Sequence, residues 1–451
     1  MSAEVVALLV LALVFLVATV RGVNMGALAL VAAFVVGLAV YDVSTDDVLG
    51  GFPGDLFVIL VGVTYLFALA KNNGTVDWIV HAAVRVVRGR VALVPWALFV
   101  VCAIITAIGA VSPAAVAIVA PIAMAFAMRY RIHPVMMGMM VVQGATAGSF
   151  SPIGIFGSIT NGVVDSNNLP GNPTILFVAA FLAAFSVAVI TYLAFGGREL
   201  IRRGREDETA LVGVGAEADR AVHEATHQDV RASHPTSAQE ATGAGGSPAD
   251  DDYQLNPERI TTLLGLVALM IGALGFDLDV GFTALSVAVA LTLIYPASAR
   301  GAVEKISWGT VLLIGGIVTY VTLLENQGTV QWLGDNVADV GAPLIAALLI
   351  CFIGAVVSAF ASTTGIIGAL IPLAVPFLLT DQVNAVALIA ALGISSSLVD
   401  CSPFSTNGAL VVANADPEQR DMVFKRLMQW GMSIVVLTPL VVWAILVVPT
   451  A

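Results

Sequence analysis

"SPFSTNGALVV" at residues 402–412 interrupts one of the most apolar stretches of the chain, with Ala385–Leu398 on one side and Ala409–Ala413 on the other. Ser, Pro, Thr, Asn and Gly do not belong in the middle of a lipid-spanning helix. A near twin, "SPIGIFGSITN", stands at 151–161. Irregular backbone at membrane depth is tolerated only where protein or a water-filled cavity meets its polar groups. The two inserts therefore predict two spanning helices, each opened to hold something.

The rest of the sequence supports a membrane setting. Of 451 residues, 59% are hydrophobic and 11% charged, where a soluble domain carries about 25% charged residues. Apolar runs of bilayer length recur without the alternation of barrel strands. The fold class is an all-α polytopic membrane protein. The first 20 residues lack a basic start and a small-residue cleavage site, and read as a helix instead of a signal peptide. The net charge of −12 excludes nucleic acid as a partner, because that needs clustered Lys and Arg. Cys102, Cys351 and Cys401 lie scattered in apolar segments and read as small buried hydrophobes.

One region breaks the pattern. Residues 198–258 are polar and poor in aromatics, a composition that buries no core and predicts a flexible linker. On either side the chain repeats itself. "NNGTVDWI" at 72–79 matches "NQGTVQWL" at 326–333, and "SPIGIFG" at 151–157 matches "SPFSTNG" at 402–408. Pro121 and Pro372 keep the spacing of the second match. A duplication in a membrane protein points to a transporter built from two repeats. The first repeat is residues 1–197, with a re-entrant hairpin at 91–128 and a broken helix at 134–163. The second is 259–451, with a hairpin at 341–379 and a broken helix at 383–413. The hairpins turn at Val111–Ala114 and at Ser362–Gly365. Each repeat then holds five spans plus its hairpin, and all 19 Lys and Arg fall on one face. Basic loops stay in the cytoplasm. The linker is cytoplasmic, both termini are external, and the repeats are inverted in a plasma-membrane protein.

Helix ends bared by the breaks and hairpins offer N–H groups to an anion, while unwound carbonyls and hydroxyls suit a cation. No predicted span carries a Lys or Arg, so an anion held there needs Ser112, Ser151, Ser158, Thr363, Thr364, Ser405, Thr406, Asn161, Asn407 and a co-bound cation to offset its desolvation. Asp400 is the one acid predicted deep in the membrane. It reads as a cation ligand, a proton acceptor or a cap on the broken helix. Gln143 is a weaker candidate of the same kind. A membrane-embedded enzyme would need a His cluster or paired acids at membrane depth, and no predicted span has either.

These motifs resemble the divalent-anion:sodium symporters of the wider ion-transporter superfamily, and within it the MatC-like malonate and dicarboxylate carriers. Ser362-Thr363-Thr364 with Pro372 is similar to the family's Ser-Asn-Thr hairpin tip, with Thr in place of Asn. Val111-Ser112-Pro113 with Pro121 keeps the spacing. Ile153-Gly154-Ile155-Phe156-Gly157-Ser158 and Pro403-Phe404-Ser405-Thr406 resemble the two broken-helix motifs. The resemblance implies Na⁺-coupled transport of a small dicarboxylate by an elevator motion, in a homodimer. Citrate, an inorganic anion, or Na⁺/H⁺ antiport on the same scaffold are the alternatives. It implies substrate contacts at Ser112, Pro113, Ser158, Asn161, Thr363, Thr364, Thr406 and Asn407. It implies sodium contacts at Ser112, Gly154, Gly157, Ser358, Ser362, Thr363 and Ser405. The amphipathic segments 77–90 and 329–340 are similar to the family's horizontal helices.

Overall fold

The computed structural model describes residues 2–21, 23–76, 78–79, 82, 90–166, 169–203, 255–276, 278–329, 332, 343–359, 363–378 and 383–450. Every long element among them is a helix. In the first half these are α1 (Ala3–Arg21), α2 (Met25–Ala39), α3 (Thr45–Gly50), α4 (Gly54–Asn72), α5 (Val94–Ala107), α6 (Ser112–Arg129), α7 (Pro134–Ser149), α8 (Ile155–Ser166), α9 (Pro173–Ala194) and α10 (Gly197–Arg203). The second half has α11 (Pro257–Gly275), α12 (Val280–Ile294), α13 (Trp308–Asn326), α14 (Pro343–Ser358), α15 (Thr363–Leu378), α16 (Ala385–Leu398), α17 (Thr406–Ala413) and α18 (Arg420–Val442). Among the described residues, six helical segments are long and apolar enough to cross a membrane, and five shorter apolar helices accompany them.

Helices α5 with α6, α7 with α8, α14 with α15 and α16 with α17 occupy most of the segments 91–128, 134–163, 341–379 and 383–413. The polar segment assigned to the linker begins as helix, since Arg198–Arg203 complete α10. Residues 204–254, most of the segments 77–90 and 329–340, and Ser362 lie outside the described residues.

Several helices of the two halves match in length. Gly54–Asn72 and Trp308–Asn326 have equal length, and so do Met25–Ala39 and Val280–Ile294. Their packing is reciprocal. Gly26 of α2 meets the backbone of α13 at Leu312, and a methyl group added to Gly316 would stand 1.9 Å from the Gly26 carbonyl oxygen. Gly62 of α4 meets Gly281 of α12 in the same way, 2.6 Å from its carbonyl oxygen. Without a hydrophobic force between helices in lipid, such small-residue contacts let backbones approach and packing attraction hold them.

Contacts along these pairs fix their directions. α2 runs parallel to α13, because Asn24 donates to the Gly309 carbonyl at 3.1 Å and Tyr41 pairs with Thr329 at the other end. α4 runs parallel to α12, with Tyr65 bonded to Thr292 and Asn72 donating to the Ser298 carbonyl. α4 and α13, equivalent by position, run antiparallel. Phe52 abuts Gly315 near the start of α4, and the Ser307 amide reaches Thr64 further along it.

α7 and α16 are the buried rods at the centre. Every α7 residue from Val135 to Ser149 is buried, as is α16 from Leu388 to Leu398. A helix apolar on all sides belongs in such a place. Gly144 and Gly148 let α7 press against the carbonyls of Phe99 and Ala103 on α5. His133 starts α7, its Nδ1 accepting from the Val135 amide at 3.3 Å while its ring packs on Phe195. Burial, and secondly the positive charge of Arg426, hold the His133 pKa below the ordinary histidine value.

Two outcomes are expected. Gly316→Val or Gly62→Val forces a helix pair apart and lowers stability by about 1–3 kcal/mol, read as an earlier thermal unfolding in detergent. For His133 the folded pKa is depressed, so its contribution is present above about pH 6.5 and is lost as pH falls through the folded value. Acidification from about pH 7.5 to about pH 5.5 then destabilises the native chain more than His133→Asn, which keeps an acceptor at the cap.

Candidate functional site

The two interruptions are shorter than the sequence suggests, and they are alike bond for bond. α7 stops at Ser149 and α8 starts at Ile155. α16 stops at Leu398, a 3₁₀ turn covers Val399–Cys401, and α17 starts at Thr406. In the first break the Ser151 amide donates to Gly148 and the Gly154 amide to Ser151, at 3.0 and 2.8 Å. In the second the Ser402 amide donates to Val399 and the Ser405 amide to Ser402, each at 3.0 Å. Both breaks then press a serine carbonyl onto a glycine. A methyl on Gly157 would lie 2.0 Å from the Ser151 oxygen, and one on Gly408 would lie 1.9 Å from the Ser402 oxygen. Glycine is required there for close backbone approach.

The first hairpin turns earlier than expected. Ser112 and Pro113 form the first turn of α6, and Thr363–Gly365 the first turn of α15. The first tip lies upstream, where Gly109 has φ +108° and abuts Val63 of α4. Proline at the start of α6 removes no needed donor.

The tips and breaks meet across the halves. Asn407, in the first turn of α17, donates from Nδ2 to Ser112 Oγ at 2.7 Å and to Asp400 Oδ2 at 2.8 Å. The hydroxyls of Ser405 and Thr363 face the Asp400 carboxyl group. Thr363 is bonded to Ser358 at 2.9 Å. Ser405 caps α17, accepting from the Gly408 amide and donating to the Asp400 and Ser402 carbonyls at 2.6 and 2.7 Å. Ser112, Ser358, Thr363, Asp400, Ser405 and Asn407 are all at most 3% exposed. In the other crossing, Ile159 of α8 lies against Gly368 of α15.

The remaining expected residues are dispersed. Ser151 donates to the Ala107 carbonyl at 2.6 Å, joining the first break to the first hairpin. Ser158 turns back to the Pro152 carbonyl. Gly154 and Gly157 are buried in the turn, Thr364 is buried, Asn161 and Pro113 are half-buried, and Thr406 is exposed. The sequence reading missed Ser395 and Ser396. Their hydroxyl oxygens, with Gln143 Oε1 and Thr146 Oγ1, are buried and make no hydrogen bond. The run "GISSSL" inside an apolar helix was the available signal.

A cavity of about 780 Å³ lies elsewhere, between α9 and α18. Val178, Leu182, Ile190, Leu437 and Val441 line it, and no charged residue does. Beside the Trp430 indole, its polar lining is limited to the hydroxyl residues Thr174, Ser186, Ser433 and Thr438, so it has mainly the chemistry of an acyl-chain groove.

Residues 1–149 match the family model described as dicarboxylate carrier protein MatC N-terminus, and residues 267–451 match the citrate transporter model. No curated protein matches the chain by sequence. The Alcanivorax borkumensis YdaH transporter, whose crystal structure has an unusual topology, is similar in fold. Its TM-score is 0.55 at 14% identity, over 88% of this chain and 86% of that one. The resemblance expected from the motifs is borne out. The chain is similar to these carrier families and has the helical fold of a multi-pass membrane protein.

Ser405→Ala removes the α17 cap, which is expected to cost about 0.5–2 kcal/mol. Gly157→Ala and Gly408→Ala are expected to distort both breaks and lower thermal stability further than the cap variant, in unfolding scans of the purified proteins.

Proposed function

We propose that this chain, similar in one half to dicarboxylate carriers and in the other to citrate transporters, is a secondary active transporter that carries a small dicarboxylate with Na⁺. Malonate, malate and succinate are the substrates of choice. The observation that carries the reading is Asn407, whose amide joins the first hairpin tip to the second helix break in one buried polar centre. Helix N-termini converge on such a centre and supply N–H groups for carboxylates. Each Lys and Arg of the described helices stands within the terminal two turns of its helix. Among the described residues, a doubly charged substrate thus finds no buried cation. Dipoles and hydroxyls alone do not offset its desolvation, and a co-transported cation supplies the missing charge.

The dicarboxylate rests on Ser112, Asn407 and Thr364, with Pro113, Ser158, Asn161, Thr363 and Thr406 toward the first break and the open side. Sodium ions take the hydroxyl and carbonyl oxygens of Ser358, Ser362, Thr363 and Ser405 in the second half. In the first half they take those of Ser112, Gly154 and Gly157. The antiparallel course of α4 and α13 supports two inverted repeats, with the linker cytoplasmic and both termini external. A hydrophobic cluster of α1, α2, α3 and α13, separate from the larger core, supports a scaffold against which the hairpins and broken helices move as an elevator. The scaffold joins two copies as a homodimer.

A citrate carrier is the second reading, favoured by the family match of the second half. Uptake of labelled dicarboxylate into proteoliposomes tests both. Replacing Na⁺ with choline or K⁺ is expected to lower the rate about tenfold or more, and excess citrate to compete weakly. Equal uptake without Na⁺ overturns the coupling, and stronger competition by citrate selects the second reading.

A further inference from the structure

We propose that the groove between α9 and α18 is a binding site for one anionic phospholipid, with an acyl chain along its floor, an ester carbonyl at Trp430 and the phosphate at Arg426. The site stands apart from the substrate and the coupling ion, and neither reading depends on the other.

The shape of the groove fits a chain and not a flat bilayer surface. Its two walls are helices long and apolar enough to cross a membrane. Both walls pack on α16, which forms the floor. Leu182, Leu437 and Ile445 on the walls are 56%, 58% and 65% exposed, while Ile394 and Leu398 on the floor are 2% and 3% exposed. The result is a slot of about 780 Å³, open along its side and closed at its base. Ser186 and Ser433 ask nothing of an occupant, because their hydroxyls donate to the Leu182 and Gln429 carbonyls of their own helices. Trp430 differs. Its Nε1 is buried and makes no hydrogen bond. An indole N–H in that state needs an acceptor, and an ester carbonyl at the head of an acyl chain is one.

Charge selects the head group. Along α18, Trp430, Ile434, Leu437, Val441 and Ile445 line the groove at intervals of three or four residues. Arg426 stands four residues before Trp430 and so continues the same face past the end of the groove. Its charge reaches His133. The His133 ring packs on Phe195 at 4.9 Å, and Phe195 packs on Trp430 at 5.5 Å. The first two turns of α18 hold Arg420, Lys425 and Arg426 against Asp421 alone, all exposed. Exposed Arg131, and Arg203 donating to the Tyr130 carbonyl at 2.8 Å, add to the positive end. Basic clusters beside spanning helices bind anionic head groups. The dimensions agree. From Trp430 to Thr438 the helix rises about 12 Å, close to the ~15 Å of hydrocarbon in one leaflet. An ester group level with Trp430 then puts its phosphate about one turn higher, at Arg426.

The floor gives the lipid a route of influence. Leu398 is the last residue of α16 before the second break, and its carbonyl accepts from Gln143 Nε2 at 3.4 Å. A chain seated on Leu398 backs the broken helix from the lipid side, at the place where its regular hydrogen bonding stops.

The test is native mass spectrometry of the full chain in detergent, titrated with dioleoylphosphatidylglycerol or with dioleoylphosphatidylcholine. One saturable adduct per chain is expected, with the anionic lipid held about fivefold more tightly or better. Arg426→Gln is expected to erase that preference and leave the phosphatidylcholine adduct in place. Leu437→Trp, at an exposed wall position, fills the slot and is expected to weaken both adducts. Should the tryptophan variant fold poorly in a thermal scan, Arg426→Gln alone carries the test, since that side chain is exposed and packs into no core. Equal binding of the two lipids by the native chain overturns the site, as does a preference that survives Arg426→Gln. Adducts that Leu437→Trp leaves unchanged assign the lipid to the general bilayer boundary and overturn it too. If Leu437→Trp instead changes the number of chains per particle, a second copy covers the groove and the lipid does not.

Discussion

A peptide group inside a bilayer must find its hydrogen bond within the protein, and the whole arrangement follows from that constraint. Two helices stop partway through the most buried region of the chain, at Ser149 and at Leu398. The freed groups are met by a tight turn whose carbonyl lies against Gly157 or Gly408. Such a turn survives only in a sheath of other helices. α7 and α16 are accordingly the most completely enclosed elements, and the hairpins wrap them. The polar centre is therefore where the backbone can be opened without meeting lipid.

Outside that centre, helix association depends on how closely backbones approach. Gly26 with Gly316 and Gly62 with Gly281 form two equivalent contacts, one from each combination of halves. They bind the first half to the second through scaffold helices that carry no site residue. Polar rivets such as Asn24 to Gly309 and Asn72 to Ser298 fix the register at the ends of these pairs. Apolar packing alone fixes register poorly, because aliphatic surfaces slide over one another at little cost.

Much of this was legible in the sequence. The "SPIGIFG" and "SPFSTNG" pair located both breaks, and their shared last glycine is the one the carbonyl needs. The ends of the hairpin and broken-helix segments were legible to within a few residues, because hydropathy reports where a helix must be apolar. The first hairpin turn lies upstream of the expected one, at Gly109. Ser-Pro and Thr-Thr look like turns, yet these residues favour the first turn of a helix, which is where they stand. The pairing of Ser112 with Asn407 was not legible, since spacing within a half says nothing about which half supplies the partner. Ser395 and Ser396 escaped because a hydroxyl in an apolar helix usually bonds its own backbone, as Ser149 and Ser397 do. Thr406 sits beside two buried residues and still faces outward, since neighbours on a helix point about 100° apart.

The bond from Asn407 to Ser112 has a further consequence for biogenesis. It forms only when both halves are present, although the second hairpin and the second break already share Thr363, Asp400 and Ser405. During synthesis the first half leaves the ribosome with Ser112 facing no amide, and it must wait for the chain beyond residue 407. The two breaks are unequal in this respect: the second carries an acid, Asp400, and the first is a plain turn.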